Sequence, residues 1–423
     1  MKKKVLVIGG GAAGLMAAAS AAEHGAAITL LEKMPAVGRK ILITGKGRCN
    51  VTNIADIKTI IENMPGNGPF LYSALAAFSN SDLMAWLEKR GVPLKTERGG
   101  RVFPVSDRAG DIVAAFSRAL DDLGVSVVTG QAVREIRVSA GHACGAVTAD
   151  GREWPAEAVV LATGGASYPG TGSSGDGYRI AAALGHEIAP LRPSLVPLEV
   201  AEDWVADLQG LALRNVTVTA SVGGRNLAAE FGELLFTHFG LSGPVILSLS
   251  NPVAAAIRAG TGGGEVLIAI DLKPALSVET LDKRLQRDFT KFARKQFKNS
   301  LGDLLPARLT DVIVDLSHID PDKPVHQITK EERGRLVTLL KQLTFAITGT
   351  RPLAEAIVTA GGIRTKEINP STMESRLVAG LYFAGEVIDI DGYTGGFNLQ
   401  AAFSTGYVAG RSAGADNVEN NNR

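Results

Sequence analysis

Cysteine is scarce in this chain: 423 residues hold only Cys49 and Cys144, far apart. That excludes a disulfide framework and a CxxC metal knuckle. Neither sign of charge dominates, with 44 basic against 43 acidic residues, which excludes a histone-like or tail-type nucleic-acid binder. Apolar runs stay short of the ~18 residues a transmembrane helix needs. No repeat of roughly 20–50 residues is visible, which excludes a solenoid or propeller. The six histidines show no ligand spacing with acidic residues, so no metal site is expected. What the chain has in excess is glycine. There are 49, well above an average usage of about 7%. They cluster at a few points, as expected where backbone approaches another group closely.

The N-terminal Met1-Lys2-Lys3-Lys4, followed by an apolar stretch and the Ala17–Ala22 run, has the outline of a secretory signal. Gly9, Gly10, Gly11 and Gly14 interrupt it where a signal core needs helix formers, so a soluble, cytoplasmic protein is expected. Those glycines belong to a different pattern. Lys4 to Ile8 is a short β-branched run of the buried-strand type. Gly9 to Gly14 then matches GxGxxG, Leu15 to His24 reads as an Ala-rich helix closed by Gly25, and Ala27 to Leu31 is a second strand ending in Glu32. In such a βαβ unit Gly9 makes the tight turn, Gly11 lets a diphosphate approach, and Gly14 lets helix and strand pack. The helix start at Ala12 and Ala13 offers free N–H groups to the diphosphate. Glu32 can accept from both ribose hydroxyls and would repel a 2′-phosphate. A dinucleotide is expected here.

The motif alone leaves NAD and FAD open, and the rest of the chain decides between them. Ala158 to Leu161 is a second buried strand, running into Thr163, Gly164 and Gly165. Near the C-terminus, Gly380 to Gly385 reads as a strand, Glu386 to Gly396 as a polar turn holding Asp389 and Asp391, and Asn398 to Ala409 as a helix. A nicotinamide domain has no use for such a closing segment. A flavin has: a carboxylate would hold the ribityl hydroxyls, and the helix start at Gly396, Phe397, Asn398 and Leu399 would face the pyrimidine ring and stabilise negative charge on it.

With these segments the sequence resembles the YhiN/BaiN-like family of FAD-dependent oxidoreductases, which includes aminoacetone-oxidase-like members. The likeness runs from about residue 3 to residue 412. It is carried by GGGAAGLMAA (9–18), GRKILITGKGRCNVTN (38–53), GRVFPVSDRA (100–109), ATGGASYPGTGSSGDGY (162–178), PSLVPLE (193–199), GELLFTHFGLSGPVIL (232–247), TAGGI (359–363) and FAGEVIDIDGYTGGFNLQAAFSTG (383–406). Thr44 and Lys46 depart from it, standing where relatives often carry serine and glycine. The resemblance implies an α/β chain with a glutathione-reductase-like, split FAD-binding Rossmann fold, an inserted β-barrel-like domain and a small helical insert. The implied boundaries are 1–192 and 355–412 for the FAD domain, 193–273 and 311–354 for the barrel-like cap, 274–310 for the helices and 413–423 for a flexible tail. Pattern agrees in outline: Leu195 to Glu199, Val216 to Val222 and Val266 to Asp271 read as strands, Pro274 to Leu305 as helix, and 311–350 as short strands around a helix near Lys330 to Leu343.

The segment from Gly38 to Asn53 is the most informative after the nucleotide motif. Arg39 and Lys40 follow the ribose-binding strand closely enough to reach phosphates. Thr44, Gly45, Gly47, Arg48, Cys49 and Asn50 are expected along the flavin. Lys33 and Val133 complete the expected FAD contacts. Cys49 has no partner nearby for disulfide chemistry and reads as a small packing residue. His238 is the best-placed histidine for acid–base work, and Tyr393 and Thr394 are candidates for the substrate pocket. The run Gly260–Gly264 precedes a strand and opens no helix, so it is not a second nucleotide loop. NADH or NADPH as transient electron donor would therefore dock over the ring itself. Seven basic residues lie in 281–300, which reads as the solvated face of an amphipathic helix. The expectation is an FAD-dependent oxidoreductase moving a hydride between flavin N5 and a small organic substrate. The alternatives are an amine oxidase using oxygen and a flavin-dependent RNA-modifying or redox-sensing protein. Nucleic acid and membrane are not expected as partners, and the oligomeric state is left open.

Overall fold

The computed structural model describes residues 2–260 and 264–415. Part of the run Gly260–Gly264 and most of the tail 413–423 therefore lie outside the described residues. The chain forms two units, Met1–Ser194 with Leu353–Arg423, and Leu195–Pro352.

The first unit is built on a five-stranded sheet in the order Leu381–Phe383, Ala158–Leu161, Lys4–Ile8, Ala27–Glu32, Ser126–Thr129. All its pairings are parallel, with Leu6 opposite Val159 on one side and Thr29 on the other. Both faces are covered, which is why the central strand can be an unbroken apolar run with Val5 to Ile8 all buried. Residues 4–8 of the N-terminal segment are thus the middle strand of the sheet.

Two helices, Ala12–Glu23 and Phe397–Gly414, pack along one another. The C-terminal helix presents Gly406, Gly410 and Gly414, one turn apart, to Ala13, Ala17 and Ala21. A Cβ on Gly414 would lie 2.8 Å from the Ala21 carbonyl oxygen, and those on Gly406 and Gly410 would press harder still on the carbonyls of Ala13 and Ala17. Three glycines inside a helix lower its intrinsic propensity. The closeness of the two backbones explains their presence, and it extends the helix five residues beyond the expected Ala409.

The second unit holds a closed six-stranded barrel in the order Leu198–Val200, Gly240–Ser242, Arg225–Thr237, Ala212–Val222, Val266–Asp271, Leu343–Thr350. Its longest hairpin joins Val222 to Arg225 through Gly223 and Gly224, whose φ values of 55° and 80° suit a two-residue turn with the twist of the flanking strands. The helices Val278–Lys291, Ala307–Ser317 and Lys330–Lys341 lie within the same unit. Two expectations are corrected here. The single helix over Pro274 to Leu305 is shorter: Ser277 caps its start and it stops at Lys291. Beyond that point Phe297 N–H donates to the Lys323 carbonyl and Val325 N–H to that of Lys295, so pairing with a distant segment overrides the local helical pattern. Residues 311–317, read as strand-like, form the second half of the Ala307–Ser317 helix.

Candidate functional site

The GxGxxG loop behaves as its spacing demands. Gly9 has φ of 103°, and a Cβ there would lie 2.5 Å from the Ala162 carbonyl oxygen. A Cβ on Gly14 would collide with the Gly9 carbonyl, whereas one on Gly11 would meet nothing within 4 Å. So two of the three glycines serve the fold, and the third faces open space at the start of the Ala12–Glu23 helix. No side chain caps that helix, and its first turn carries no acidic residue, so its positive end is available to an anion. Glu32 ends the second strand, nearly buried, with Oε2 accepting from Gly10 N–H and Oε1 from Met34 N–H, both at 2.7 Å. Its carboxylate thus lies against the glycine loop and keeps lone pairs for hydroxyl donors.

Lys33 next to it forms an ion pair with Asp176 at 2.5 Å and also reaches Ser174. Gly172 packs beside this pair, 2.9 Å (from a Cβ position) from Met34. The loop after Gly164 and Gly165 is thereby drawn across the Glu32 end. Arg39 donates weakly to the Gly170 carbonyl at 3.4 Å, and its Nε is buried without a partner, as is Thr163 Oγ1. Buried donors and acceptors left unmatched by the protein are what a polar ligand satisfies.

Lys40, expected at the phosphates, is committed elsewhere. Its ammonium pairs with Glu386 at 2.7 Å and donates to Ser167 at 2.8 Å. The other Glu386 oxygen accepts from Thr359 N–H at 2.8 Å and Ser167 at 3.1 Å. Four segments meet at this carboxylate. A Cβ on Gly165 would lie 2.6 Å from it. Gly385 just before it has φ of 75° and sits against Ala13. Tyr178 donates to the Glu386 carbonyl, and burial holds its phenol well above the usual range. Asp389 follows, half-screened, with Arg364 at 3.9 Å.

At the other end of the site, Gly396 (φ 97°) precedes the C-terminal helix, and a Cβ there would strike the Thr52 backbone. Phe397 is buried and Leu399 partly so. No side chain caps this helix either. With its amide oriented by its neighbours, Asn50 accepts from Gly396 N–H at 3.0 Å. The Thr44–Gly47 turn holds Gly45 and Lys46 in left-handed geometry, which glycine tolerates and lysine does not readily. Thr44 donates to the Ile41 carbonyl.

Several of the residues expected at the cofactor or substrate also bond or pack within the protein. Arg48 bridges Glu97 and Asp107 (2.8 Å) and lies over the Phe103 ring at 4.1 Å. Asn398 bonds the backbone of Gly392 and Tyr393, shaping the loop that carries Tyr393 and Thr394. Val133 is buried at the start of the strand Val133–Ser139. His238 belongs to the barrel unit, exposed in the tight turn between Arg225–Thr237 and Gly240–Ser242, edge-on to Phe239. The Lys40–Glu386 pair escaped the sequence reading because the partners are 346 positions apart and no local pattern links them.

Cys49 is fully buried, and burial pushes its thiol up to about 12 against a hydrogen bond from Thr44 that lowers it. Cys144 is exposed. Thiol reagent at mild pH is therefore expected to label one cysteine per folded chain and two after denaturation. Rapid labelling of Cys49 in the folded protein would contradict the packing role.

These residues fit FAD: an uncapped helix with an open glycine for the diphosphate, a carboxylate for the ribose, a second carboxylate beyond it, and a second uncapped helix for the ring. The model of the HI0933-like protein Rossmann domain family matches residues 3–412. The chain belongs to the HI0933-like family. It is an FAD-dependent oxidoreductase. A 3-dehydro-bile acid delta(4,6)-reductase of Clostridium scindens is 33% identical to it, over 92% of this chain and 93% of the relative. A ribosomal RNA dihydrouridine synthase of Escherichia coli is 34% identical, over 91% of each. One of Haemophilus influenzae is 33% identical over 92% and 93%. The fold is shared with a 3-ketosteroid-delta4-(5alpha)-dehydrogenase of Rhodococcus jostii, at 18% identity and a TM-score of 0.54, over 98% and 97% of the two chains. Among the described residues no helix is long and apolar enough to cross a membrane, and no group of metal-ligating side chains is present.

Proposed function

We propose that this flavoprotein reduces a carbon–carbon double bond conjugated to a carbonyl, with NADH or NADPH as electron donor, in the cytoplasm. The observation that carries this reading is the chemistry common to relatives at 33–34% identity, whose names describe a bile-acid delta(4,6)-reductase and dihydrouridine synthases. A 3-keto-4,6-diene and a uracil ring each hold a double bond in conjugation with a carbonyl. FAD held by Gly11, Ala12, Ala13 and Glu32 would supply two-electron reduction of such a bond, with NADH or NADPH as the source of the hydride and a protein group or water as the source of the proton.

The chain's own residues supply orientation and charge. The open face at Gly11 and the N–H groups of Ala12 and Ala13 hold the diphosphate, and Glu32 the ribose. Glu386, fixed by Lys40, Ser167 and Thr359, presents a stationary acceptor to the ribityl hydroxyls. The N-terminus of Phe397–Gly414 stabilises negative charge on the pyrimidine ring. Tyr393 and Thr394 line the substrate side.

Anaerobic mixing with NADH and with NADPH tests the reading. One of them is expected to bleach the flavin absorbance, and a conjugated enone is expected to restore it. Bleaching by amines, with no response to either nicotinamide, would make this an oxidase and overturn the proposal.

A further inference from the structure

One buried titratable group of the FAD-binding unit lies outside the cofactor site. His186, between the helix Asp176–Ala183 and the strand Ile188–Ser194, has a fully buried imidazole. Its Nδ1 lies 3.1 Å from Glu367 Oε2 and its Nε2 2.9 Å from Ser375 Oγ. Ser375 Oγ already accepts from two amides, Leu377 N–H at 3.0 Å and Val378 N–H at 2.9 Å. Both lone pairs of the hydroxyl are thereby filled, and its one hydrogen is left for Nε2. The ring proton must then sit on Nδ1, donated to Glu367. Every donor has an acceptor in this arrangement, and it exists only for a neutral imidazole.

The same contacts fasten an excursion of the chain to the nucleotide sheet. Residues 364–380 leave the strand Val358–Ile363 and return as the outer strand Leu381–Phe383. Glu367 Oε2 also accepts from Glu187 N–H at 3.0 Å. Ser375 N–H donates to the Leu381 carbonyl at 2.7 Å, and Phe383 N–H to that of Met373 at 2.9 Å. The Phe383 ring stands edge-on to the imidazole, with centroids 4.8 Å apart. Three residues beyond Phe383 comes Glu386. The other charged groups nearby are engaged elsewhere. Glu187 pairs with Arg364 at 3.0 Å and Lys366 at 2.9 Å, and the Glu374 carboxylate accepts from Gly380 N–H. On the helix side Asp176 pairs with Lys33, and Arg179 donates to the Arg134 carbonyl. Tyr382 stays protonated, because burial and the Glu374 charge hold its phenol above the usual range.

We infer that His186 is an acid-sensitive latch: as a neutral ring it fastens residues 364–380 to the outer strand, and uptake of one proton frees that segment and loosens the strand that delivers Glu386 to the cofactor. A protonated ring points an N–H from Nε2 at a hydroxyl with no lone pair to receive it. Either the bond from Leu377 or Val378 is then given up, or the ring leaves its place. Burial acts in the same direction, holding the imidazole below its ordinary value of 6.5, while the hydrogen bond and charge of Glu367 act against it. The fastened form therefore binds a proton less readily than the freed one. The latch holds fully above the freed value near 6.5 and weakens as pH falls from there through the lower value of the fastened form. The link to the cofactor rests on the reading above that Glu386 faces the ribityl chain.

Hydrogen–deuterium exchange of the holoprotein, corrected for the intrinsic dependence of exchange on pH, tests the latch in peptides covering 365–380. Between about pH 7.5 and about pH 5.5, opening of this segment should rise by up to about tenfold, the limit for one imidazole that titrates near its ordinary value only when freed. The helix Ala109–Asp122 should stay protected over the same range. His186→Gln offers a donor and an acceptor that do not titrate, so it should remove the rise. Glu367→Gln takes away the charge that favours a protonated ring, so it should keep the onset and extend the rise to lower pH. An equal rise in His186→Gln, or none in the wild type, would overturn the latch. So would loss of the rise in Glu367→Gln, which would move the titration to the carboxylate. Flavin release, followed by the fluorescence of freed FAD, should accelerate over the same pH range. A rise in exchange without faster release refutes the coupling to Glu386 and leaves the latch standing. Neither readout involves an enone or a nicotinamide, so failure of the proposed reaction would show separately.

Discussion

Gly11→Leu is expected to give a folded, colourless protein. A Cβ at this position meets nothing within 4 Å, and its backbone lies outside the left-handed region that only glycine enters freely. The substitution therefore leaves sheet and helix intact while filling the space that a diphosphate needs at the helix start. Loss of the diphosphate's contacts with the first-turn N–H groups should weaken FAD binding by several kcal/mol, since hydrogen bonds to charged groups are worth ~1.5–3 kcal/mol each. That is a hundredfold or greater loss, on the order of two decades or more. Circular dichroism should match the wild type stripped of flavin, and fluorescence titration with FAD should show little or no saturation. Gly14→Leu is the control, because its Cβ would overlap the Gly9 carbonyl and disrupt the loop itself. Tight FAD binding by Gly11→Leu would mean the diphosphate sits elsewhere, and the whole cofactor assignment would shift with it.

The second large effect is on folding. Gly410→Val places its Cβ on the Ala17 carbonyl, with further contacts at 2.8 and 2.9 Å to the Ala17 backbone. Backbone atoms of a buried helix cannot swing aside as a flexible side chain would, so the two helices must separate along their length. Overpacking of this kind costs ~1–3 kcal/mol where the surroundings can adjust and more where they cannot. Here both helices are buried and Ala17 is fully enclosed, so a loss of about 3 kcal/mol or more is expected. Chemical denaturation of the two proteins, each with saturating FAD, measures it. Gly410→Ala should fall between them. A valine variant as stable as the wild type would show that the helices are not in contact there.

The nucleotide half of the site was legible because its physics is local. A strand, three glycines at fixed spacing, a helix and an acid 18 positions beyond Gly14 suffice to define it, and each residue stands where that spacing requires. The helix-to-helix stripe was not legible, because Gly406, Gly410 and Gly414 count against a helix until the partner backbone is known. Glu386 was placed in the site from its segment, but its anchor Lys40 was assigned to phosphates, since only the folded chain brings the two together. Arg48 shows the same limit from the other side. It sits in a glycine-rich cofactor segment, yet its guanidinium is held by Glu97, at the end of one strand, and Asp107, in the turn after the next, roughly half a hundred residues on. In the barrel unit the helical pattern over 274–305 failed at Phe292, where a backbone pairing with 323–325 replaces the next turn.

The central sheet has one more consequence, for the order in which the protein is made. Its strand at residues 4–8 emerges from the ribosome first, but a neighbour at 158–161 comes much later, and the outer strand at 381–383 and the helix at 397–414 come last. By then the contiguous stretch Leu195–Pro352 has long been synthesised, and it contains every strand of its own barrel. The inserted unit can thus complete its core during translation, while the flavin unit waits for its final segment. Until Phe397–Gly414 arrives, the alanine face of the first helix and the edge at 158–161 lack their native cover. Cofactor capture in this sense waits for a segment made after every strand of the sheet it covers.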